Sequence, residues 1–339
     1  MDLITNVRRA IPAHCFVPSY GLSLFYMIRD LCMFATAAWV YPILVQNSGF
    51  VTHFLYWNLY GFLGWCIFVI GHDCGHNSFS KSYILNGICG HLCHTVIMVP
   101  FYPWARSHHS HHVFHNHKEN DRSHPWNTEK ELIKYPWIAR KIVTTIIMPF
   151  VGFWVYLYYE TTPDGSHMVW FGRLYAEAPT REKIKAAISI FSVVLWFLFT
   201  LVICGDEYWL SAYGGILVMT YFWLFMVTWL QHHDERTLVY DADTWNFAKG
   251  ALQTVDRQIG FGIDQIHHHI SNCHIVHHMF FTSIPHYHLH EATKHLYAYG
   301  IANDISLKVV DHSAYFGKYV IDFLRLYPKI NVSKWSWGK

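Results

Sequence analysis

The sequence predicts an all-α integral membrane protein, with four transmembrane helices arranged as two hairpins under a helical cytoplasmic cap. Hydrophobic residues make up 53% of the 339 positions and charged residues only 14%, whereas soluble domains carry about 25% charged residues. Lysine and arginine are absent from residues 30–80 and 186–235. Both stretches are long enough to cross a bilayer twice without burying a cationic side chain.

The four predicted spans are approximately residues 22–45, 50–70, 186–204 and 208–230. Each has about the 20 residues that a helix needs to cross the hydrocarbon core, although Arg29 and Asp30 place the first turn of the first segment at the interface. Short connectors at 46–49 and 205–207 join the spans in pairs and carry no cationic residue. The positive-inside rule therefore puts both termini and the rest of the chain in the cytoplasm.

Three histidine clusters indicate a metal site in this cap. His72 and His76 have i, i+4 spacing, and each of the other two clusters has i, i+3, i+4 spacing; their members are His108, His111, His112, His274, His277 and His278. Residues at these spacings share one face of a helix. Eight imidazoles are too many for one ion but suit a dinuclear site, and imidazole binds iron, zinc, copper and nickel.

The positions of the clusters favour one shared cytoplasmic site. His72 follows the second span directly, so four spans place all three clusters on one face, in a cap built from residues 72–185 and 231–339. The apolar stretches 83–103 and 143–159 must then lie at the interface rather than cross. We expect residues 1–339 to form a single domain.

The remaining histidines have weaker spacing. We expect six to be ordinary polar side chains: His14, His53, His124, His167, His295 and His312. Five trail the clusters and are expected to surround the ligands or lie at the surface: His115, His117, His286, His288 and His290.

Other motifs are missing from the sequence. It contains no phosphate-binding loop, nicotinamide or flavin fingerprint, or serine nucleophile elbow, so electrons for a redox reaction must come from another protein. The eight cysteines form no CxxC pair and fit a reducing compartment, and we expect neither a signal peptide nor a plastid transit peptide.

A dinuclear site above an apolar bundle suits oxidation of a lipid, and iron could activate dioxygen for that reaction.

The chain resembles the membrane fatty-acid desaturases, specifically the methyl-end group of omega-3 and Δ12 acyl-lipid enzymes. The resemblance rests on HDCGH at 72–76, HHSHH at 108–112 and HIVHH at 274–278, and extends to AIPAHCF at 10–16, GALQTVDR at 250–257 and IPHYH at 284–288. It implies that the eight cluster histidines bind two iron ions, with dioxygen as cosubstrate and no catalytic residue beyond the ligands. The WLQH segment at 229–232 makes His232 a ninth ligand, and His268 is a possible outer-shell residue or extra ligand.

The resemblance also implies a reaction and partners. The expected activity is insertion of a cis double bond toward the methyl end of an unsaturated acyl chain, with the omega-3 position preferred because of IPHYHL at 284–289 and the segment 116–121. The acyl chain would be carried by a phospholipid rather than by acyl-CoA. Cytochrome b5 or ferredoxin would donate electrons, in the endoplasmic reticulum membrane with the metal site facing the cytoplasm, and no nucleic acid is expected as a partner.

Three alternatives stay open at this stage. The enzyme could be a Δ12 (omega-6) desaturase, or a hydroxylase or conjugase with the same iron site, because Asn272 and Cys273 replace the Asp-Thr pair that usually precedes the third cluster. A non-enzyme alternative is a transition-metal transporter or sensor. A transporter places ionisable ligands inside its spans, whereas these clusters lie outside the predicted spans.

Overall fold

The computed structural model describes residues 2–124, 136–315 and 317–330, and the chain in these ranges is mostly helical. The helices before residue 124 are α1 (Leu3–Ala10), α2 (Tyr20–Ala35), α3 (Ala37–Val40), α4 (Phe50–His76), α5 (Tyr83–Thr95) and α6 (Phe101–Val113). Those after residue 136 are α7 (Trp137–Ile142), α8 (Met148–Tyr158), α9 (Thr180–Cys204), α10 (Asp206–Tyr208), α11 (Gly215–His232), α12 (Phe247–Ala251), α13 (Ile263–Ile266), α14 (His274–Phe280), α15 (His286–Ala302) and α16 (Gly317–Ile330).

Shorter elements complete the described chain. Single 3-10 turns lie at Ala13–Phe16 and Arg173–Tyr175, and π-helical turns lie at Tyr41–Val45, Val143–Ile147 and Trp209–Gly214. Two short strands, β1 (Asp256–Gln258) and β2 (Val309–Asp311), pair in parallel with Asp256 opposite Val309.

Four helical segments are long and apolar enough to cross a membrane: Tyr20–Val45, Phe50–His76, Thr180–Cys204 and Asp206–His232. Each predicted span lies inside one of them, so the expected number of membrane-length helices is confirmed. The stretches that we expected not to cross contain α5 and α8, of 13 and 11 residues. Helix α5 is shorter than the roughly 20 residues that a span requires, and α8 continues α7 and the π-helical turn Val143–Ile147.

Helix α4 extends six residues beyond the predicted end of the second span, from residue 70 to 76. It stops because Asn77 adopts a left-handed conformation with φ 61°, and the Asn77 N–H bonds to the carbonyls of Asp73 and Cys74. His72 and His76 therefore lie in the last two turns of the helix, on one face.

The described residues form two compact units. We call the first the span unit, which comprises Ser19–Arg106 and Pro149–Phe225. We call the second the histidine unit, which comprises the described parts of Met1–Pro18, Ser107–Met148 and Met226–Lys339. Residues 125–135, 316 and 331–339 of the predicted cap lie outside the described residues.

The span unit combines a buried core with an exposed apolar surface. One buried cluster joins Met27, Ile67 and Ile70 to residues of α5, and a second joins Tyr41, Tyr56 and Tyr60 to the start of α11. Helix α9, in contrast, exposes large aliphatic side chains, including Leu195 at 65%, Val202 at 80% and Ile203 at 69%. Such a surface is unfavourable in water and favourable against acyl chains.

Helices α4 and α11 approach each other closely at Gly61. A Cβ atom added there would lie 2.4 Å from Met219 Cβ and 2.8 Å from the Thr220 backbone nitrogen. Glycine is the only residue that this backbone contact accepts without movement of a helix.

We predict that Gly61→Ala destabilises the folded protein by about 1–3 kcal/mol, the usual cost of inserting atoms into a packed core. Thermal unfolding of the purified protein in detergent measures this change. Gly49→Ala is the matched control, because nothing lies within 4 Å of a Cβ at that position. Equal midpoints for the two variants would contradict the close approach.

Candidate metal centre

Four buried histidines of the histidine unit converge on one point. They are His111 on α6, His115 just beyond its end, His232 at the last position of α11, and His278 on α14. One ring nitrogen from each lies within 4.8 Å of the others, and none of the four is more than 1% exposed. Convergence of imidazoles from three separate helical segments is the arrangement expected of a metal site.

Protein groups hold the ring nitrogens that point away from this centre. His111 Nδ1 lies 2.8 Å from Asp121 Oδ1, and His115 Nδ1 lies 2.8 Å from the Gly250 carbonyl oxygen. A carboxylate or carbonyl on the far nitrogen fixes the tautomer and orientation of a metal-binding imidazole.

His115 in turn orients His232. The Gly250 carbonyl can only accept, so we assign the His115 proton to Nδ1 and leave Nε2 as an acceptor. His115 Nε2 lies 2.9 Å from His232 Nδ1, which then donates to it. His232 Nε2 is left to bind a cation, and it lies 3.3 Å from His274 Nε2.

The donor set fits a divalent transition metal. Among the described residues, His111 Nε2 and both ring nitrogens of His278 are buried without a hydrogen-bond partner. Each buried polar atom left in this state costs roughly 1–3 kcal/mol. A cation bound by these nitrogens would remove that cost.

Burial also sets the charge state of the centre. It lowers the pKa of His111, His115 and His124 to about 3, and it raises the pKa of Asp121 to about 6. The imidazoles are therefore neutral near pH 7, which is the form that binds metals.

A second convergence in the histidine unit involves the remaining cluster residues. His112 Nε2 lies 3.1 Å from His108 Nε2 and 3.3 Å from His277 Nε2. Two nitrogens that bind one ion at about 2.1 Å stand about 3.0–3.4 Å apart in octahedral or tetrahedral geometry. The spacing of these three imidazoles therefore also fits a shared cation.

The first cluster lies in the span unit. His72 Nε2 and His76 Nε2 are 3.2 Å apart, and the two residues are 5% and 2% exposed. The ring of Trp104 lies 5.8 Å from that of His72. The predicted i, i+4 pair is thus a buried pair whose ring nitrogens point to one place.

Two adjacent residues of β1 position the segments that carry His232 and the third cluster. Arg257 donates from Nε to the Leu230 carbonyl at 2.7 Å and from Nη2 to the His233 carbonyl at 2.9 Å. Asp256 accepts from the Ile275 N–H at 2.8 Å and from the Tyr297 hydroxyl at 2.7 Å. One short strand therefore fixes the end of α11 and the start of α14.

The sequence analysis predicted no role for Asp256 and Arg257, which it included only as part of the motif at 250–257. It also placed His124 among ordinary polar residues, whereas His124, Asp121 and His111 form a further group of converging ligand atoms. His268 belongs to no such group in the part of the chain that the structure describes. Its ring lies against that of His286, with centroids 4.4 Å apart.

Membrane-length helices combined with converging buried histidines are the features expected of integral membrane metalloproteins. A family model described as fatty acid desaturase matches residues 48–306. The chain belongs to the fatty acid desaturase family.

The names of similar proteins state two different positions for the double bond, Δ12 and omega-3. The chain is 38% identical over 295 residues to Delta(12) fatty acid desaturase fat-2 of Caenorhabditis elegans, a match that covers 86% of this chain and 77% of that protein. It is 38% identical to the acyl-lipid omega-3 desaturase (cytochrome b5), endoplasmic reticulum, of Arabidopsis thaliana, over 86% and 75% of the two chains. It is 36% identical to the sn-2 acyl-lipid omega-3 desaturase (ferredoxin), chloroplastic, of Helianthus annuus, over 86% and 65%.

We predict that Asp256→Ala destabilises the protein by about 1–3 kcal/mol, because it leaves the buried Ile275 N–H without an acceptor. The variant should also retain less transition metal, because the start of α14 loses its anchor. Metal analysis and thermal unfolding of the purified protein measure both effects. Tyr297→Phe is the control: it removes only the second bond to the carboxylate, so its effect should be the smaller one. A larger effect of Tyr297→Phe would refute the proposed anchoring of α14.

Proposed function

We propose that this protein is an oxygen-dependent di-iron acyl-lipid desaturase that inserts a cis double bond toward the methyl end of an unsaturated acyl chain. The observation that carries the proposal is the centre of buried, neutral imidazoles in a chain of the desaturase family. Iron bound there supplies the dioxygen chemistry needed to oxidise an unactivated methylene, which no side chain can do.

The proposed ligands of the two irons are nine histidines. They are His72, His76, His108, His111, His112, His232, His274, His277 and His278. The distances between ring nitrogens within each unit support this ligand set. They are the 3.2 Å pair on α4 and the two groups of converging imidazoles in the histidine unit. Imidazoles alone do not select iron over zinc or copper, and family membership supports iron.

The chain's own residues prepare this centre. Burial lowers the pKa of His111 and His278 and so keeps these two imidazoles neutral. Asp121 orients His111, and His115 orients His232. The charged residues of β1 hold two ligand segments in place. In this proposal no other side chain takes part in the chemistry.

The four spans form two hairpins under a cytoplasmic cap in a single domain of residues 1–339, with the metal centre at the cytoplasmic face. The support for this arrangement is the lack of lysine and arginine in the connectors 46–49 and 205–207. We propose the endoplasmic reticulum as the membrane and cytochrome b5 as the donor, by analogy with the named Arabidopsis relative. Ferredoxin is the alternative, as in the Helianthus relative.

The proposed substrate is a phospholipid-bound acyl chain, and the proposed position is omega-3. The Δ12 alternative has its own support, because the Δ12 and omega-3 relatives are equally identical at 38%. Discrimination by one methylene in an apolar pocket is worth only about 1–3 kcal/mol, so a few side chains decide between the two positions.

We predict that His111→Ala lowers the iron content of the purified, iron-reconstituted protein by about half and abolishes activity, because a ligand of one ion is lost. His115→Asn should retain a partial iron content, with affinity about 10- to 100-fold weaker, as for other outer-shell partners. His109→Ala is the control in the same motif, because His109 is exposed. Unchanged iron in His111→Ala, or full activity with zinc alone, would contradict the proposed iron centre.

We predict that cells that make neither linoleate nor trienoic acids will produce α-linolenate when they express this protein and are fed linoleate. Mass spectrometry of phospholipids from cells fed oleate or linoleate maps the new double bonds, and His111→Ala provides the inactive control. Linoleate made from oleate without any trienoic product would establish the Δ12 activity instead. A hydroxylated product would exclude desaturation as the main reaction.

A further inference from the structure

A second set of metal-type side chains lies in the histidine unit, formed by residues that the iron centre does not use. His14, Cys15, His288 and Glu291 each offer a ligand atom, and these atoms lie within 4.8 Å of one another. His14 Nε2 is 2.9 Å from Glu291 Oε2 and 3.7 Å from Cys15 Sγ. The rings of His14 and His288 meet edge to face, with centroids 5.5 Å apart.

The local fold presents these side chains from two packed elements. The 3-10 turn Ala13–Phe16 carries His14 and Cys15, and α15 carries His288 and Glu291 at i, i+3 on one face. The turn is held in place because the Phe16 ring meets that of Phe280 at 5.4 Å. The guanidinium of Arg8 lies 4.0 Å above the centre of the same Phe16 ring.

An ion pair alone accounts for only part of this cluster. The His14 and Glu291 side chains are 59% and 45% exposed, and an exposed pair of this kind contributes about 0–1 kcal/mol. It gives no reason for a thiol and a second imidazole at the same point. Cys15, at 0% exposure, forms the floor of the cluster, while the exposed His14 and Glu291 leave it open to ions from solvent.

We propose that His14, Cys15, His288 and Glu291 bind one zinc-type divalent cation that fastens the N-terminal segment to α15. Two imidazoles, one thiolate and one carboxylate form a four-donor set of the kind that zinc takes in tetrahedral sites. Magnesium and calcium prefer all-oxygen sets and are disfavoured here. When the cation binds, the Cys15 thiol loses its proton to solvent and the sulfur becomes the fourth ligand.

Cobalt(II) is the probe, because a cobalt–thiolate bond gives a near-ultraviolet charge-transfer band that oxygen and nitrogen ligands do not give. The iron-loaded full chain is treated with a mild chelator and titrated with cobalt under anaerobic conditions, and its iron content is checked before and after. The expected result is one added cobalt per chain with a thiolate band, which zinc displaces.

The variants locate the site. Cys15→Ser should abolish the band, and Glu291→Gln should keep the band but weaken cobalt binding more than about 100-fold, beyond the cost of losing an outer-shell partner. The matched controls, Cys32→Ser and Glu177→Gln, lie outside the cluster and should bind as the unmodified protein does. Protease cleavage within residues 2–18 should slow when zinc is added, in the unmodified protein and both controls only.

Uptake without a thiolate band, or an equal band in Cys15→Ser, would overturn the proposal. Iron content and desaturation products are measured on the same samples. A failure of the desaturase proposal would therefore appear in those two measurements, independently of the cobalt band. A Cys15→Ser variant with full iron and normal lipid products but no cobalt band would support the second site alone.

Discussion

The structure depends on one constraint, which is that an imidazole buried away from water must be neutral and must have both ring nitrogens satisfied. In the histidine unit the outer nitrogens meet this need through Asp121 and the Gly250 carbonyl. The inner nitrogen of His111 then has a cation as its fitting partner, while that of His115 accepts from His232 Nδ1. The centre therefore needs more residues than its ligands alone, because His111 and His232 are each oriented by a further side chain.

The need for a partner at each buried polar atom also applies to two buried charged residues of β1. Arg257 is 1% exposed and donates to carbonyls at the C-terminal end of α11, where the helix dipole is negative. Asp256 accepts from an N–H at the start of α14, where the dipole is positive. Asp234 and Asp322 lie 3.6 and 3.9 Å from the buried guanidinium and offset its charge. Burial raises the pKa of Asp256 to about 7, while its hydrogen bonds from Tyr297 and Ile275 act in the opposite direction.

These arguments divide the structure into parts that local sequence rules predict and parts that they do not. The spacing of His72 and His76, and that of the two later clusters, follows from helical periodicity, and the structure places these histidines on helices. The second span was predicted to end at residue 70 and the His72/His76 pair to lie on a helical face just beyond it, and one helix carries both, ending at the left-handed Asn77. The partnership of His115 with His232 spans 117 residues and that of His14 with Glu291 spans 277. Neither was predicted because no local pattern records a contact at such a separation.

The direction in which His72 and His76 point depends on the packing of α4, the helix that carries them. Successive residues of an α-helix advance by about 100° and 1.5 Å, so one residue inserted between Gly61 and His72 would turn the His72 imidazole away from Trp104. Gly61 holds α4 against Met219 of α11 at a fixed depth, which fixes the phase of the helix as well as its position. An inserted residue is therefore tolerated in a connector such as 46–49 but not in α4 between Gly61 and His72. The apolar helix thus does more than cross the membrane, because its packing sets the direction in which His72 and His76 point.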